Sequence, residues 1–261
     1  MFYRYFIELA YKGTHYHGWQ VQPNAVSVQE ILNTAFSTVL REETELTGCG
    51  RTDTGVHASY FVAHFDSQND SLHQNKNFLY SINGVLPQDI VIKSVHCVDN
   101  DFHSRFSALT RTYHYVIRHE KDPFRTEFST YIPQPLNINL MNEACAELLG
   151  EMDFSSFCKA KSNTHTNICK VLDAFWKPID NEFVFTIKAD RFLRNMVRAV
   201  VGTMIAIGQE KLTKKELREI IDRKDRSYAG PSVPAHGLYL TDVTYPPGVF
   251  KRTTSNLSII E

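Results

Sequence analysis

The order of strand and helix patterns constrains the fold of this chain more than any other feature. Apolar and polar residues alternate along Tyr3–Tyr11 as in a half-buried strand, and the capping box Ser27–Glu30 then predicts a helix that continues to residue 40. Phe183–Ala189, followed by a predicted helix over 191–207, repeats this layout without repeating the residues. We therefore predict an α+β fold of two similar halves, with a mixed or antiparallel sheet, helices on one face and a basic active-site cleft between the halves.

The remaining predicted strands, helices and loops are distributed over both halves of the chain. Strands are predicted at 60–65, 90–95, 111–118 and 238–243, helices at 77–82, 139–149 and 213–222, and polar loops at 83–87 and 159–167. After residues 101–103 the succession of predicted strands and helices begins again. We therefore divide the chain into a first half, 1–105, a second half, 106–250, and a polar tail, 251–261, which we expect to fray.

Composition excludes several classes of protein. The 261 residues are 43% hydrophobic, which is enough for a substantial core, yet no run of eighteen apolar residues predicts a membrane span and no leader pattern predicts secretion. Five cysteines, an odd number without a C-x-x-C pair, indicate reduced thiols rather than a disulfide framework or a zinc site. We expect a cytoplasmic protein without membrane association.

Charge is segregated along the chain. The net charge of −1 argues against nucleic-acid binding, but residues 103–125 hold five Lys or Arg and three His against two acidic residues. Residues 188–198 hold four Lys or Arg against one Asp. This distribution favours a nucleic-acid surface although the total does not.

The nonapeptide Gly50–Ala58 is the strongest candidate for a site. It places Asp53 and Arg51 between two glycines, in a polar interruption of apolar patterning. An Asp-Thr-Gly turn that merely joins two elements has the same spacing, and the spacing alone leaves both interpretations open.

Arginines on the predicted helix over 191–207 offer partners for an anion. Arg191, Arg194 and Arg198 are three and four residues apart and would share the polar face of that helix. A solvated basic face is one interpretation. A site for RNA phosphates, or for a carboxylate such as Asp53, is the other.

Aromatic and basic residues interleave along the predicted strand 111–118. Tyr113 and Tyr115 are two residues apart and therefore point to the same side of that strand. They would form a platform on which bases stack, or they would pack against a helix. The sequence does not distinguish these two arrangements.

Other kinds of catalytic site find little support. The histidines show no ligand spacing typical of a metal site, and the chain has no glycine-rich phosphate loop, no G-x-S-x-G motif and no context for a thiol nucleophile. Asp53 is therefore the leading candidate for catalysis.

Several motifs together resemble the tRNA pseudouridine synthase A (TruA) family. They are Tyr16–Gln20, Ser27–Glu30, Gly50–Ala58, Asp101–Ala108 and Met196–Arg198 with Val201–Gly202, and the resemblance extends from residue 3 to about 243. Two positions depart from the family pattern. Thr54 replaces a frequent alanine, and Arg194–Asn195 replace frequent histidines; neither departure is expected to touch the chemistry.

The resemblance implies isomerisation of uridine to pseudouridine at positions 38, 39 and 40 of the tRNA anticodon stem-loop, without a cofactor. It implies that Asp53 is catalytic and that Arg198 pairs with it. It also implies that Tyr113 stacks on the uracil with Tyr115 beside it, and that Arg51 holds the target base out of its stack. The basic segments with Arg191 and Arg194 would bind tRNA, and the protein would act as a homodimer.

Two other functions stay open at this point. A non-catalytic RNA-binding protein would explain Tyr113 and the arginines, but it gives no reason for Asp53, which would repel phosphate. A hydrolase acting on a small nucleoside would use Asp53 with a histidine, but the basic and aromatic segments are longer than a nucleoside requires.

Overall fold

The computed structural model describes residues 1–159 and 165–250. Within these ranges the chain forms one sheet of ten strands and five α-helices. The strands are β1 (Tyr3–Tyr11), β2 (Thr47–Gly48), β3 (His57–Ser67), β4 (Ile90–Val98), β5 (Thr110–Arg118), β6 (Thr130–Tyr131), β7 (Gly150–Asp153), β8 (Ile168–Ile179), β9 (Glu182–Ala189) and β10 (Leu238–Thr244). The helices are α1 (Val28–Leu40), α2 (Lys76–Val85), α3 (Ile138–Cys145), α4 (Met196–Gly208) and α5 (Lys214–Arg223).

The last strand of the chain lies in the middle of the sheet. The strand order is β4-β1-β3-β10-β5-β9-β8-β7, so β10 joins the strands of the first half to those of the second. It pairs in parallel with β3, through Tyr239 opposite His57, and antiparallel with β5, through Leu240 opposite Tyr113. The predicted α+β architecture with a mixed sheet is confirmed. The turn before β3 and the centre of β5 are thereby brought to either side of β10.

Two hydrophobic clusters support the sheet. One contains Phe36, Phe61 and Phe65 with α1 and α2, and the other contains residues of α3, α4 and α5. Tyr113 packs against both clusters. The division at residue 105 remains a proposal, and the predicted tail 251–261 lies outside the described residues, as do residues 160–164 of the predicted polar loop.

Capping boxes located the starts of α1 and α5. Ser27 and Glu30 form the predicted capping box of α1, with Glu30 N donating to Ser27 Oγ over 3.2 Å. Thr213 and Glu216 do the same for α5. The helix ends were less accurate: α2 continues through 83–85, where a loop was predicted, because the Asn83 side chain exchanges two hydrogen bonds with the Ile92 backbone on β4 and fixes that turn.

Three strands of the second half were not predicted from the sequence. They are β6, which pairs with β5, and β7 and β8, which pair with each other at the far end of the sheet. In the described part of the chain, no helix has the length and apolarity needed to cross a bilayer.

Candidate active site

The nonapeptide forms a turn that other backbone segments hold in place. Gly55 has φ of 77° and lets the chain reverse into β3, while Val56 N donates to Asp53 O over 3.1 Å. The loop after β1 supports the turn from below: Trp19 N donates to Thr52 O and Gly55 N donates to Tyr16 O. The Tyr11 hydroxyl also lies 2.8 Å from Thr52 Oγ1. Because its neighbours are held on both sides, Asp53 has a fixed position.

Gly18 explains why the Tyr16–Gln20 motif accompanies the nonapeptide. Its φ is 86°, and a Cβ atom there would lie 2.3 Å from Thr52 O. Any side chain at position 18 would therefore collide with the turn that carries Asp53.

Two arginines contact the Asp53 carboxylate. Arg198 Nη1 lies 3.8 Å from Oδ2, and Arg194 Nε lies 3.9 Å from Oδ1. The Asp53 side chain is 29% exposed, Arg198 is 22% exposed and Arg194 is 59% exposed. A half-buried carboxylate with one cation at each oxygen has a defined orientation and stays open to a ligand on its remaining side.

Arg198 is positioned by α4 and by the loop opposite it. Its Nε donates to Val233 O over 2.7 Å, and Val233 N donates to Arg198 O. Gly202, one turn later on α4, allows this loop to approach, because a Cβ there would lie 1.7 Å from Pro231 O. One guanidinium thus faces both the loop and Asp53.

The predicted helix over 191–207 is wrong at its beginning. The helix α4 begins at Met196, and Asn195 before it is left-handed with φ of 66°. Arg191 and Arg194 therefore lie in a loop and not on the helical face of Arg198. Asp190 supports this loop by accepting hydrogen bonds from Arg191 N and Lys170 N. The same loop geometry brings Arg194 to Asp53, one of the two kinds of partner that the sequence left open for these arginines.

Tyr113 lies beside this carboxylate on β5. Its ring packs edge-on against Phe192, with centroids 5.0 Å apart and planes at 86°. Burial raises the pKa of the Tyr113 phenol, and the negative charge of Asp53 acts in the same direction. The phenol therefore keeps its proton at neutral pH.

Tyr115 does not form a second accessible ring. It is fully buried, its hydroxyl donates to Pro234 O over 2.9 Å, and it lies 2.6 Å from Thr130 Oγ1. Of the two arrangements that the sequence left open, packing in the core therefore holds for Tyr115, and the expectation that its ring lies beside Tyr113 at the uracil is not met. The two side chains lie on one side of β5, but Tyr115 is part of the hydrophobic cluster of the second half, whereas Tyr113 lies at its boundary.

Further arginines gather next to the turn. Partial burial lowers the pKa of the Arg105 guanidinium, and the charges of Arg51, Arg111 and Arg191 lower it further. Arg51 is exposed, in keeping with a role toward a ligand. Sequence reasoning grouped Arg105 and Arg111 in a basic segment but did not assign them to the site; their distance from Asp53 along the chain concealed this placement.

Arg111 joins three segments of the site. Its Nη2 donates to Cys49 O (3.0 Å), directly before the nonapeptide, and to Arg105 O (2.5 Å). Its Nη1 donates to Asp190 O (2.9 Å), at the start of the loop with Arg194, and to Ala108 O (3.1 Å). One side chain therefore ties together segments that are distant along the chain.

A metal centre is not evident in the part of the chain that the structure describes: no group of three or more His, Cys, Asp or Glu side chains is placed to hold an ion. His57, part of the nonapeptide, is buried and serves the fold. Its Nδ1 accepts a hydrogen bond from Gly13 N, and its Nε2 lies 2.9 Å from Glu127 O.

Comparison with known proteins agrees with the motifs. A sequence model described as tRNA pseudouridine synthase matches residues 9–107 and 144–246. Proteins named tRNA pseudouridine synthase A from Bacteroides fragilis and Porphyromonas gingivalis are 49% and 47% identical over 249 residues; each match covers 95% of this chain, and 98% and 99% of the relatives. A relative of that name from a Thermoanaerobacter species is 41% identical and covers 92% of the chain.

Proposed function

The chain belongs to the tRNA pseudouridine synthase family, and from this premise we propose that Asp53 is the carboxylate that carries out its reaction. As a member of that family the protein is an isomerase that converts uridine in tRNA to pseudouridine. The observation that supports Asp53 is its pairing, on a braced turn, with guanidinium groups at both oxygens.

The reaction conserves atoms. The N1–C1′ bond breaks, the uracil turns, C5 bonds to C1′, and the proton on C5 leaves while N1 gains one. No oxidant, reductant or energy source is needed, and we propose that no cofactor takes part. Either attack of a carboxylate on C1′ or removal of a sugar proton starts this sequence, and both require an ionised acid.

Arg198 would keep Asp53 ionised and oriented. A cation close to a carboxylate favours the charged form of that carboxylate. The hydrogen bond from Arg198 to the Val233 carbonyl fixes the guanidinium in this position. Arg194 would assist at the other oxygen and, being more exposed, would also contact the tRNA.

Tyr113 and Arg51 would act on the base. The target uridine must leave its stack to reach Asp53, which costs a few kcal/mol. Tyr113 lies beside the carboxylate, so its ring can stack on the uracil. Because its hydroxyl stays protonated, it would assist removal of the C5 proton by accepting that proton as it passes its own to a neighbouring acceptor or to solvent. Arg51, two residues from Asp53 and exposed, would occupy the vacated space.

The finer features of the substrate and assembly follow from the family pattern. We propose that the modified uridines are at positions 38, 39 and 40 in the anticodon stem-loop and that the enzyme acts in the cytoplasm. We also propose a homodimer, which would let a chain of net charge −1 present a wide basic surface to one tRNA. Arg191 and Arg194 would belong to that surface.

One assay tests the proposed chemistry against its alternatives. The protein is incubated with an unmodified tRNA transcript, and pseudouridine is mapped along it. We expect product with the wild type and none with Asp53→Asn. That variant should still bind tRNA, because an amide of the same shape replaces a carboxylate that repels phosphate. Binding without product in the wild type would support a non-catalytic RNA-binding protein, and release of free base would support a hydrolase.

A further inference from the structure

Near the Asp53 turn, an exposed aromatic ring projects next to the cluster of arginines formed by Arg51, Arg105, Arg111 and Arg191. Phe106 is 76% exposed, and the Arg105 guanidinium lies over its ring, 5.6 Å from the centroid. The arginines whose charges act on Arg105 include Arg51, two residues from Asp53. A base and a phosphate are the two parts of a nucleotide that such a pair of side chains would contact.

The loop that presents this pair is rigid at its base. Ser104 is fully buried: its hydroxyl donates to Thr47 O over 2.8 Å, and its N–H donates to His64 Nδ1 over 3.2 Å. The Tyr245 hydroxyl donates to Ser104 O. The chain therefore cannot retract Arg105 and Phe106, the next two residues, into the core.

The tip of the loop is also fixed. His103 Nδ1 faces the N–H groups of Arg105 (3.1 Å) and Phe106 (3.4 Å), and Ser107 N donates to His103 O over 2.9 Å. The His103 ring lies 4.4 Å from the Phe106 ring and supports it from one side. Arg111 connects the tip to the turn of Asp53, since it donates to both Arg105 O and Cys49 O.

We propose that Arg105 and Phe106 form a second nucleotide subsite, which holds a nucleotide adjacent to the target uridine. Phe106 stacks on the neighbouring base, and Arg105 contacts the phosphate. The inference rests on the proposed function, because it takes tRNA as the substrate. A ring held ready before binding loses little conformational freedom on contact, so this subsite would help to keep the target uridine unstacked.

Binding of the tRNA transcript tests the aromatic half of the subsite. Phe106→Ala should weaken binding about 10-fold, and Phe106→Tyr should restore it, because stacking needs only an aromatic face. Tyr80, which is 81% exposed on α2, provides a matched control, and Tyr80→Ala should bind as the wild type does. Loss of the Phe106 ring should not unfold the protein, since that ring is exposed.

The cationic half is tested by salt dependence. Arg105→Ala should lower the slope of log affinity against log salt concentration by about one, while Arg105→Lys should keep it. An unchanged slope with Arg105→Ala would contradict the phosphate contact.

Coupling to the RNA gives the sharpest test. After the modified uridine is mapped, tRNAs with an abasic nucleotide on either side of it are compared. On one of them, Phe106→Ala should cause no further loss of affinity, because the base it contacts is already gone. If Phe106→Ala loses the same affinity on both abasic tRNAs as on the intact one, or loses none on the intact tRNA, the subsite does not exist. Absence of pseudouridine with the wild type would instead contradict the proposed function, and binding of the Phe106 and Arg105 variants to the intact tRNA would still show whether this pair contacts RNA.

Discussion

Arg194 lies against Asp53, with its Nε 3.9 Å from Oδ1, although it is not on the helix that carries Arg198. The carboxylate therefore has one partner from α4 and one from the loop before α4. The two partners differ in exposure, 22% for Arg198 and 59% for Arg194, and this difference predicts different effects when each is removed.

Arg198→Ala should lower the rate of pseudouridine formation by about 10² to 10³, with little change in tRNA affinity, because it removes a partly buried cation aimed at Asp53, the proposed catalytic group. Arg194→Ala should lower the rate by about 10-fold or less, because water competes for an exposed contact. Single-turnover rates and tRNA dissociation constants measure both effects. Equal losses of affinity and rate in Arg198→Ala would show that this residue contacts phosphate and does not orient Asp53.

Arg111→Lys should slow the reaction although the charge is kept. A lysine cannot reproduce the four hydrogen bonds from Arg111 to the carbonyls of residues 49, 105, 108 and 190, and polar groups left unpaired cost about 1–3 kcal/mol each. We expect a lower free energy of unfolding in a denaturant titration and a reduced rate under conditions in which the variant is fully folded.

A control for Arg111→Lys is Arg125→Lys. Arg125 pairs with Glu182 at the first residue of β9, whereas Arg111 lies opposite Ala189 at the last residue of that strand. Because Arg125 is thus remote from the Asp53 turn, Arg125→Lys should leave the rate unchanged. If both variants slow the reaction alike, Arg111 has no special role in positioning the Asp53 turn.

Gly18→Ala should damage the site. The new Cβ would lie 2.3 Å from Thr52 O, at a backbone φ of 86° that side chains rarely adopt, so the turn of Asp53 must shift. We expect more than about 1 kcal/mol of lost stability and a lower rate. Gly84→Ala is the matched control: nothing lies within 4 Å of its added methyl group in α2, and it should raise stability by up to about 1 kcal/mol. Normal activity in Gly18→Ala would show that the Tyr16–Gln20 loop does not position the turn of Asp53 for the reaction.

Stability should fall as the pH is lowered from about 6.5 to 4. Burial lowers the pKa of His64 from 6.5 to about 4, and the charges of Arg4 and His103 lower it further. In this window the unfolded chain binds a proton that the folded chain does not, so the stability present above pH 6.5 is lost on acidification, by up to about 3 kcal/mol for this group. Urea titrations at several pH values measure the slope.

His64→Gln should flatten this dependence. The variant has no titrating group at position 64, so the free energy of unfolding should change less with pH. His57 and His114, whose pKa values burial also lowers, still contribute to the remaining pH dependence. A wild-type slope in the variant would show that His64 does not contribute to the acid sensitivity.

Several features were predictable because they depend on neighbouring residues. The capping boxes at Ser27 and Thr213 are contacts over three residues, and both exist as predicted. The strand Tyr3–Tyr11 was located by a period of two. The polar interruption at Asp53 pointed to a site for the same reason: its glycines and charges stand together in the chain.

Other features depend on segments that meet only in the folded protein. Tyr113 and Tyr115 have the same periodicity, but the packing of the second half buries one completely and leaves the other at the site. The helical spacing of Arg191, Arg194 and Arg198 suggested one face, but the left-handed Asn195 breaks the helix between them.

By itself the sequence determined the family, the α+β class and the choice of Asp53, because motifs and hydrophobic periods are local properties of the chain. Arg198 was expected at Asp53 from the family motifs, but the tertiary structure decided that Arg194 meets the second carboxylate oxygen and that Tyr115 is buried. It inserts β10, the last strand of the chain, between β3 and β5, and so sets the Asp53 turn and Tyr113 on either side of one strand. Arg111 links the turn to the loop that carries Arg194. Hydrogen bonds and ion pairs between such distant segments leave no periodic trace in the sequence, so hydrophobic periods alone could not identify them.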